Sequence, residues 1–480
     1  MSSVAEKTVQ TTFWGGIDKL VSSGVQFIVA IVLARLLTPS DYGIIALLTF
    51  FIVLSEQIAR SGFMNALIRK NECSSLDYST AFVFNLIVSI ALYLLLFLCS
   101  PLIAKFYAMP ILIPVIKIYG IKIIVDSLQL VPYAILSRRL DFKFLAINTS
   151  ATSIISGIFG ILIAYLGGGV WALVVQSISQ SLLFLLLIFL FSKWRISVAF
   201  SKDSFSYLWN FGSKMLLTGI IGSIYNNLYT LVIGKVYDNN TLGLFSRGQN
   251  LSNYYPNLVE GVFTKNSLPI MSQIQNDNDR LKNVYRQFVR LVCFVTFPVC
   301  IYMFVMARPL VSLLLGEKWI DCVIYVQIFA LSSLLVPANY INLNIMQVKG
   351  RSDLTLRAEI LKKSIGAFFV FIMMPYGAIL LAIVSSFMGF LSYGVNFYYA
   401  KKVIDISVRD QILDLIPCMI SSVIPGALIG ILLITDLSPL MMIVFGSLLL
   451  FSVYYVVTKY IYKFDIYDRV FNMIKGRMSN

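Results

Sequence analysis

The sequence contains no histidine, and only 13% of its 480 residues are charged. The lack of histidine excludes imidazole acid-base catalysis and removes the commonest metal ligand. Six cysteines are present, but they have no paired spacing and most lie in apolar runs. We therefore interpret them as small hydrophobic residues and not as metal ligands or disulfides.

The motifs of several enzyme classes are also missing. No Gly-x-x-x-x-Gly-Lys-Ser/Thr phosphate loop is present, and the connections between apolar runs are too short to form a nucleotide-binding domain. No convincing pair of carboxylates, nucleophile with a base, or metal cluster can be found. The sequence predicts a protein that is not an enzyme, does not hydrolyse ATP and needs no metal or cofactor.

Apolar residues dominate the chain. They make up 58% of it, and the mean hydropathy is +0.83. A soluble domain of this size does not bury so much apolar surface, whereas a series of membrane spans of about 20 residues each does. Residues 1–10 are polar and the first apolar run is too long for a signal peptide, so the first span is expected to stay in the mature protein.

The apolar runs predict an all-α polytopic membrane protein with about fourteen transmembrane helices. Six spans precede a polar stretch at residues 193–207, six follow it, and two more lie near the C-terminus. The predicted spans are 11–36, 43–67, 79–99, 111–137, 145–166, 170–192, 210–235, 243–272, 287–308, 320–348, 357–375, 377–399, 411–434 and 439–461.

The net charge of +15 is distributed over short loops, which favours membrane lipid and not nucleic acid as the partner of the basic residues. With the N-terminus inside, the inner segments hold about 23 lysines and arginines and the outer loops about five. The positive-inside rule then places both termini in the cytoplasm.

Residues 34–70 form a predicted hairpin around which the chain is organised. Thr38-Pro39-Ser40-Asp41 predicts a turn between two apolar runs, because proline lacks an amide donor and its neighbours can bond locally. The returning run contains Glu56, Gln57 and Arg60. Polar groups are costly in a bilayer, so they usually face protein or water and mark a pathway.

The two halves of the chain repeat each other. Pro101 aligns with Pro309 and Gly169 with Gly377 at an offset of 208, while Gly43 aligns with Gly243 at an offset of 200. Six spans return the chain to its starting side, so the copies are expected to run parallel. The predicted domains are an N-terminal six-helix lobe (1–200), a C-terminal six-helix lobe (201–400) and two extra helices with a cytoplasmic tail (401–480).

Charged residues in the first half suggest two interpretations. Lys19 and Arg60 each lie about 11 Å from the cytoplasmic ends of their predicted spans, at 1.5 Å per residue. They can form a cationic surface for an anionic headgroup. Alternatively Glu56 pairs with Arg60, four residues away on the same helix face, and Asp18 pairs with Lys19.

The second half supplies a comparable polar surface, on the seventh and eighth spans. Amides and tyrosines suit hydroxyl-rich ligands, because rings cover the apolar face of a sugar while amides bond its hydroxyls. Polar contacts between helices are the alternative. The predicted substrate-binding residues here are Lys214, Asn226, Arg247, Asn250, Tyr254 and Lys265, and the acidic candidates for ion coupling in the whole chain are Glu56, Asp126 and Glu260.

Three segments of the sequence resemble the bacterial polysaccharide flippases of the Wzx type, which belong to the multidrug/oligosaccharidyl-lipid/polysaccharide superfamily. They are LARLLTPSDYG at 33–43, SGF with ALIRK at 61–70, and LSRRLDF at 136–142. The resemblance extends over nearly the whole chain and is weaker beyond residue 401. It implies two six-helix lobes, two additional helices, alternating access, and a central cavity with cationic residues in places comparable to Lys19, Arg60, Lys214 and Arg247.

The resemblance implies translocation of an undecaprenyl-pyrophosphate-linked oligosaccharide, as a repeat unit of O-antigen (lipopolysaccharide), capsule or exopolysaccharide. Its expected partners are this lipid-linked oligosaccharide, membrane lipids and polysaccharide polymerase or assembly proteins. Two alternatives remain open. A cation-coupled multidrug antiporter of the same superfamily would need a dominantly acidic cavity, and a non-transporting scaffold of an assembly complex would leave the cavity residues replaceable.

Overall fold

The computed structural model describes residues 24–70, 72–139, 141–192 and 194–462, and every regular element within these ranges is a helix. Contacts between Cα atoms divide the chain into two compact units, residues 1–246 and 247–480. The helices of the first unit are α1 (Gly24–Leu36), α2 (Pro39–Arg60), α3 (Phe63–Arg69), α4 (Ser75–Tyr107), α5 (Leu112–Tyr119), α6 (Ile121–Arg138), α7 (Phe142–Tyr165), α8 (Val170–Ser192), α9 (Lys202–Asn226) and α10 (Leu228–Val236).

The next helix, α11 (Asn239–Gln273), begins in the first unit and continues in the second. The helices that follow it are α12 (Asn278–Val305), α13 (Ala307–Leu314), α14 (Val323–Ser333), α15 (Val336–Val348), α16 (Ser352–Met373), α17 (Ala378–Ile404), α18 (Val408–Leu432) and α19 (Pro439–Val456). Short 3₁₀ segments lie at Glu317–Cys322 and Met374–Tyr376, and a π turn at Val457–Ile461 ends the last described helix.

The observed turn of the hairpin is shorter than the predicted one, because most of the residues predicted to form it belong to the start of α2. Thr38 is the N-cap of α2, its side chain accepts a hydrogen bond from the Asp41 amide, and the Asp41 carboxylate accepts one from the Thr38 amide. Pro39 occupies the first turn, where its missing amide hydrogen costs nothing. This capping box reverses the chain within two residues, and the Tyr42 hydroxyl donates to the Ala30 carbonyl of α1 at 3.4 Å.

Among the described residues, nine helices are long and apolar enough to cross a membrane, and the pair α9 and α10, bent by 42°, makes a tenth if it is one span. Four predicted spans fall outside this group. α1 is described only from Gly24, the fourth span is divided between α5 and α6, and α11 and α16 carry many polar or charged residues. The count of fourteen therefore stays a prediction.

The fourth predicted span, 111–137, is not one continuous helix. It divides at Gly120, with α5 on one side and α6 on the other. A Cβ at Gly120 would lie 2.7 Å from the Ile116 carbonyl oxygen and 3.0 Å from the Tyr93 ring, so only glycine fits this close approach to α4. The hydropathy of the run does not reveal this break.

The first unit includes α9 and α10, which the predicted lobe boundary at residue 200 assigns to the second lobe. Glycines bring α9 against the end of α2: a Cβ at Gly212 would collide with the Ser61 carbonyl, and one at Gly219 would collide with the Gln57 amide. Such close backbone packing between small residues is typical of membrane helices. The boundaries at 200 and 400, drawn from the internal repeat, stay a prediction.

The first residues of corresponding helices in the two halves are separated by the same offsets as the predicted repeat. α2 begins at Pro39 and α11 at Asn239, an offset of 200, while α8 begins at Val170 and α17 at Ala378, an offset of 208. The first turns of α2 and α11 touch within the first unit. A Cβ at Gly43 would collide with the Asn239 carbonyl, and a Cβ at Gly243 would collide with the Pro39 carbonyl.

In the second unit, a charged cluster attaches α18 to α12. Asp414 is 98% buried and accepts from Arg286 at 2.7 Å and from Arg290 at 2.5 Å. Asp410, one turn earlier, lies 3.2 Å from Arg286. A buried carboxylate needs such partners, so these pairs fix the register between the two helices.

Candidate functional site

A cavity of about 430 Å³ lies in the first unit, between α2, α3, α6 and α8. Its charged lining residues are Arg60, Lys122 and Asp126, its uncharged polar ones are Gln129, Ser177, Gln180 and Ser181, and its apolar or aromatic ones are Met64, Leu130, Tyr133 and Phe184. The volume falls within the range of about 300–1,000 Å³ that is usual for small-molecule sites.

Helical periodicity explains why these side chains meet. Lys122, Asp126, Gln129 and Tyr133 follow one another at intervals of four, three and four residues, which places them on one face of α6. Ser177, Gln180, Ser181 and Phe184 share a face of α8 in the same way. Two polar stripes therefore face the same space from neighbouring helices.

Four charged residues form a chain along one side of the cavity. The Lys122 ammonium donates to Asp126 Oδ2 at 2.5 Å and to Glu56 Oε1 at 2.6 Å. The Arg60 guanidinium lies 3.8 Å from the other oxygen of Glu56. Asp126 also accepts from the Gln129 amide at 3.1 Å, and that amide donates to the Ser181 carbonyl at 2.8 Å.

The chain of charges is electrically balanced, with two acids and two bases. Side-chain exposure is 8% for Asp126, 14% for Glu56 and 19% for Lys122, so these three are largely removed from solvent. Burial of an ion is costly unless its partners are close and well oriented, and Lys122 supplies that partner for both carboxylates. The ion pairs attach α6 to α2.

Arg60 is the most exposed member of the chain of charges. Its side chain is 46% exposed, and its distance to Glu56 is longer than the Lys122 distance to the same carboxylate. The predicted Glu56–Arg60 pair is present, but Lys122 is the nearer partner of Glu56. Arg60 can therefore turn toward an anion in the cavity while Glu56 keeps a counter-ion.

The other predicted residues of the first unit either lie outside the described residues or do not line the cavity. Lys19, and with it the proposed Asp18–Lys19 pair, lies outside the described residues. Lys214 and Asn226 lie on α9 with exposed side chains, and they are not among the residues that line the cavity. Of the predicted first-half residues, the structure thus brings together Arg60, Glu56 and Asp126.

The remaining predicted residues of the second half lie on one helix, α11. Arg247, Asn250 and Tyr254 are spaced by three and four residues and share a face, with Arg247 and Tyr254 half-buried and Asn250 exposed. Glu260 is half-buried further along the same helix. Lys265 also belongs to α11, and its side chain is outside the described part of the structure.

The sequence analysis missed Lys122 and the amide and hydroxyl groups of α6 and α8. The signal was present, since Lys122, Asp126 and Gln129 interrupt an apolar run at helical spacing. In the described part of the chain, no group of three or more histidine, cysteine, aspartate or glutamate residues could hold a metal ion.

The fold and cavity define a polytopic helical membrane protein with a charged, partly buried binding cavity. The chain belongs to the family described as polysaccharide biosynthesis protein, whose model matches residues 32–324. The predicted family is confirmed, as is the all-helical membrane fold.

Relatives in several bacteria carry related names. The chain is 24% identical over 367 residues to the lipopolysaccharide biosynthesis protein WzxC of Escherichia coli (strain K12), which covers 75% of this chain and 74% of that one. It is 19% identical to the teichuronic acid biosynthesis protein TuaB of Bacillus subtilis (strain 168), with 74% of each chain covered. It is 22% identical to the succinoglycan biosynthesis transport protein ExoT of Rhizobium meliloti (strain 1021), over 66% of this chain and 64% of that one.

Solved structures share the fold. The lipid II flippase MurJ in an inward closed conformation superposes with a TM-score of 0.73 at 15% identity, covering 94% of this chain and 99% of that one. An inward-facing multidrug resistance MATE family transporter of the MOP superfamily superposes with a TM-score of 0.62 at 13% identity, covering 81% and 98%. This chain therefore shares its fold with MurJ and with a MATE family transporter.

Proposed function

We propose that the protein is a flippase, not an enzyme, and that it translocates a lipid-linked oligosaccharide across the bacterial inner membrane by alternating access. The observation that carries this proposal is the cavity of the first unit, in which Arg60 extends from a charge-balanced chain into a space lined by amides and hydroxyls. Family membership and the names of the relatives support the same function.

The substrate is an undecaprenyl-pyrophosphate-linked repeat unit of O-antigen, capsule or exopolysaccharide. Arginine suits the pyrophosphate, because its planar guanidinium binds two oxygens at once and stays charged. Lys19, Lys214, Arg247 and Lys265 are proposed as further anion-binding groups, and Asn226, Asn250 and Tyr254 as sugar-binding groups. The lipid tail remains in the bilayer.

The proposal also includes the membrane topology and the coupling of transport to an ion gradient. Both termini are proposed to lie in the cytoplasm, which the predicted even number of spans and the distribution of lysine and arginine support. Coupling to an ion gradient would use Glu56, Asp126 or Glu260. Glu56 and Asp126 share the Lys122 ammonium, so a proton or cation that binds either of them would compete with that pair.

The cavity does not favour a multidrug antiporter, since its charged lining residues are two bases, Arg60 and Lys122, and one acid, Asp126, and it is not dominantly acidic. The test is deletion of the gene in its own host, followed by identification of the lipid-linked intermediate that accumulates on the cytoplasmic face. Accumulation of a complete repeat unit, reversed by the wild-type protein and not by Arg60→Ala at equal abundance, is expected. Full complementation by Arg60→Ala would instead favour a scaffold.

A further inference from the structure

We propose that the cavity between α6 and α8 is a subsite for one uncharged sugar, the residue of the glycan nearest the pyrophosphate. This inference rests on the proposed function and assigns the part of the substrate that this cavity holds. It depends on four properties of the cavity: its charge balance, its hydrogen-bonding groups, its aromatic side chains and its size.

The charge balance favours an uncharged sugar. Lys122 is neutralised by Glu56 at 2.6 Å and by Asp126 at 2.5 Å, so its ammonium is not available to a sugar carboxylate without breaking one of those pairs. A uronic acid would also bring its negative charge beside Asp126, which lines the cavity. Like charges in a low-dielectric site repel strongly, whereas a hydroxyl can approach a carboxylate as a donor.

Gln129 and Gln180, which both line the cavity, have amide nitrogens engaged as donors and amide oxygens that can act as acceptors. Both amide hydrogens of Gln129 are used, one by Asp126 and one by the Ser181 carbonyl. Gln180 donates to the Ser153 hydroxyl at 3.0 Å, which holds its amide group in place. The Oε1 atoms of these two glutamines are acceptors with two lone pairs each, and sugar hydroxyls are suitable donors for them.

Aromatic side chains supply the apolar part of the site. The rings of Tyr133 and Phe184 lie with centroids 6.5 Å apart and planes inclined by 33°. Tyr133 lies on the face of α6 that lines the cavity, and Phe184 lies on the corresponding face of α8. Rings beside hydrogen-bonding amides match a pyranose, which has an apolar face of C–H groups and a rim of hydroxyls.

The volume of about 430 Å³ suits a small ligand and not a whole oligosaccharide. Arg60 lines the same cavity, so a pyrophosphate bound to its guanidinium would place the attached sugar within reach of α6 and α8. The remainder of the glycan would extend beyond this subsite.

The test measures how tightly the full-length protein in nanodiscs binds two kinds of lipid. One is undecaprenyl pyrophosphate, and the other is undecaprenyl-pyrophosphate-glucose or -galactose. We expect the wild type to bind a glycosylated lipid more tightly than the sugar-free lipid. Gln180→Met removes the amide while keeping side-chain length, and it should weaken binding of the glycosylated lipid about three- to tenfold while leaving the sugar-free lipid unchanged. Gln129→Met is the second variant, and Gln327→Met, at a half-buried glutamine of α14 in the second unit, is the matched control.

Arg60→Ala separates this inference from the proposed function, because it should weaken binding of the glycosylated lipid and of the sugar-free lipid equally. Equal binding of the glycosylated and sugar-free lipids by the wild type would overturn the subsite alone. The subsite would also be overturned if Gln180→Met and Gln129→Met, at unchanged thermal stability, lost affinity equally for both lipids. A wild type that binds neither lipid would overturn both proposals. A glucuronic-acid-linked lipid that binds as tightly as the glucose-linked one would overturn the assignment to an uncharged sugar.

Discussion

Replacement of Lys122 by methionine should destabilise the protein more than the loss of any exposed ion pair. The change removes the ammonium that bridges Glu56 and Asp126, while methionine keeps the unbranched apolar stem. Removal of one partner from a largely buried ion pair costs about 3–5 kcal/mol, because the remaining charge is left without compensation. Here two carboxylates lose their common partner, and only Glu56 keeps another, Arg60 at 3.8 Å.

Double variants test whether charge balance is the cause. Lys122→Met with Asp126→Asn restores neutrality and leaves Glu56 paired with Arg60, so it should recover most of the lost stability. Lys122→Met with Glu56→Gln is also neutral, but it leaves Asp126 without its nearest base and should recover less. The control is Arg351→Met, which breaks an exposed pair with Asp353; solvent screens such a pair, so its loss should change stability little.

The assay for these variants is thermal unfolding of the purified protein in one detergent, at matched concentration and pH. Lys122→Met should lower the unfolding midpoint clearly, and Lys122→Met with Asp126→Asn should return it close to the wild-type value. A Lys122→Met midpoint equal to that of Arg351→Met would refute the buried-charge argument. Equal recovery by the two double variants would refute the geometry of the chain of charges.

Other predictions follow from the site and the topology. Arg60→Ala should weaken substrate binding about ten- to a hundredfold, since a charge-assisted hydrogen bond contributes about 1.5–3 kcal/mol, and Arg60→Lys should be intermediate in glycan export. Because Lys122 is the nearer partner of Glu56, Glu56→Gln combined with Arg60→Gln should not rescue export at normal abundance; rescue would remove Arg60 from the substrate site. Collapse of both proton and sodium gradients should slow transport in vesicles, and an unchanged rate would rule out ion coupling. Reporter fusions should report cytoplasm at Lys70, Lys143, Lys282 and Lys402 and the exterior at Asp41, Gly168 and Asp436, and one robust reversal in the first twelve spans would contradict the parallel repeat.

The parts of the fold that depend on local sequence could be predicted. The reversal at Thr38 is set by a capping box within four residues, and the same device starts α4 at Ser74 and α18 at Ser407. The apolar runs locate most of the spans because a bilayer demands a minimum apolar length from each helix. Such features need no knowledge of which helices are neighbours.

The cavity could not be predicted in the same way, because it depends on which helices pack together. Glu56 and Arg60 are four residues apart, so the sequence suggests that they pair. The nearer partner, Lys122, is 66 residues from Glu56 and meets it only because α6 packs against α2. A hydropathy profile also treats Gly120 as one more residue of an apolar run, although the run divides there into two helices and the Tyr93 ring leaves no room for a side chain.

The contact between the first turns of α2 and α11 has an electrostatic consequence. Each helix N-terminus carries about half a positive charge from its aligned peptide dipoles, so two such ends in contact repel each other. Both carry a carboxylate in the cap: Asp41 binds the Thr38 amide at 2.9 Å, and Asp238 accepts from the Thr241 amide at 2.8 Å. The hydrogen bonds from Thr241 hold the pKa of Asp238 below its ordinary value, so this carboxylate stays ionised at neutral pH. The Asp41 and Asp238 carboxylates offset the positive charge of the two helix ends and so allow these ends to lie in contact. Replacing both aspartates with asparagine would leave the repulsion uncompensated.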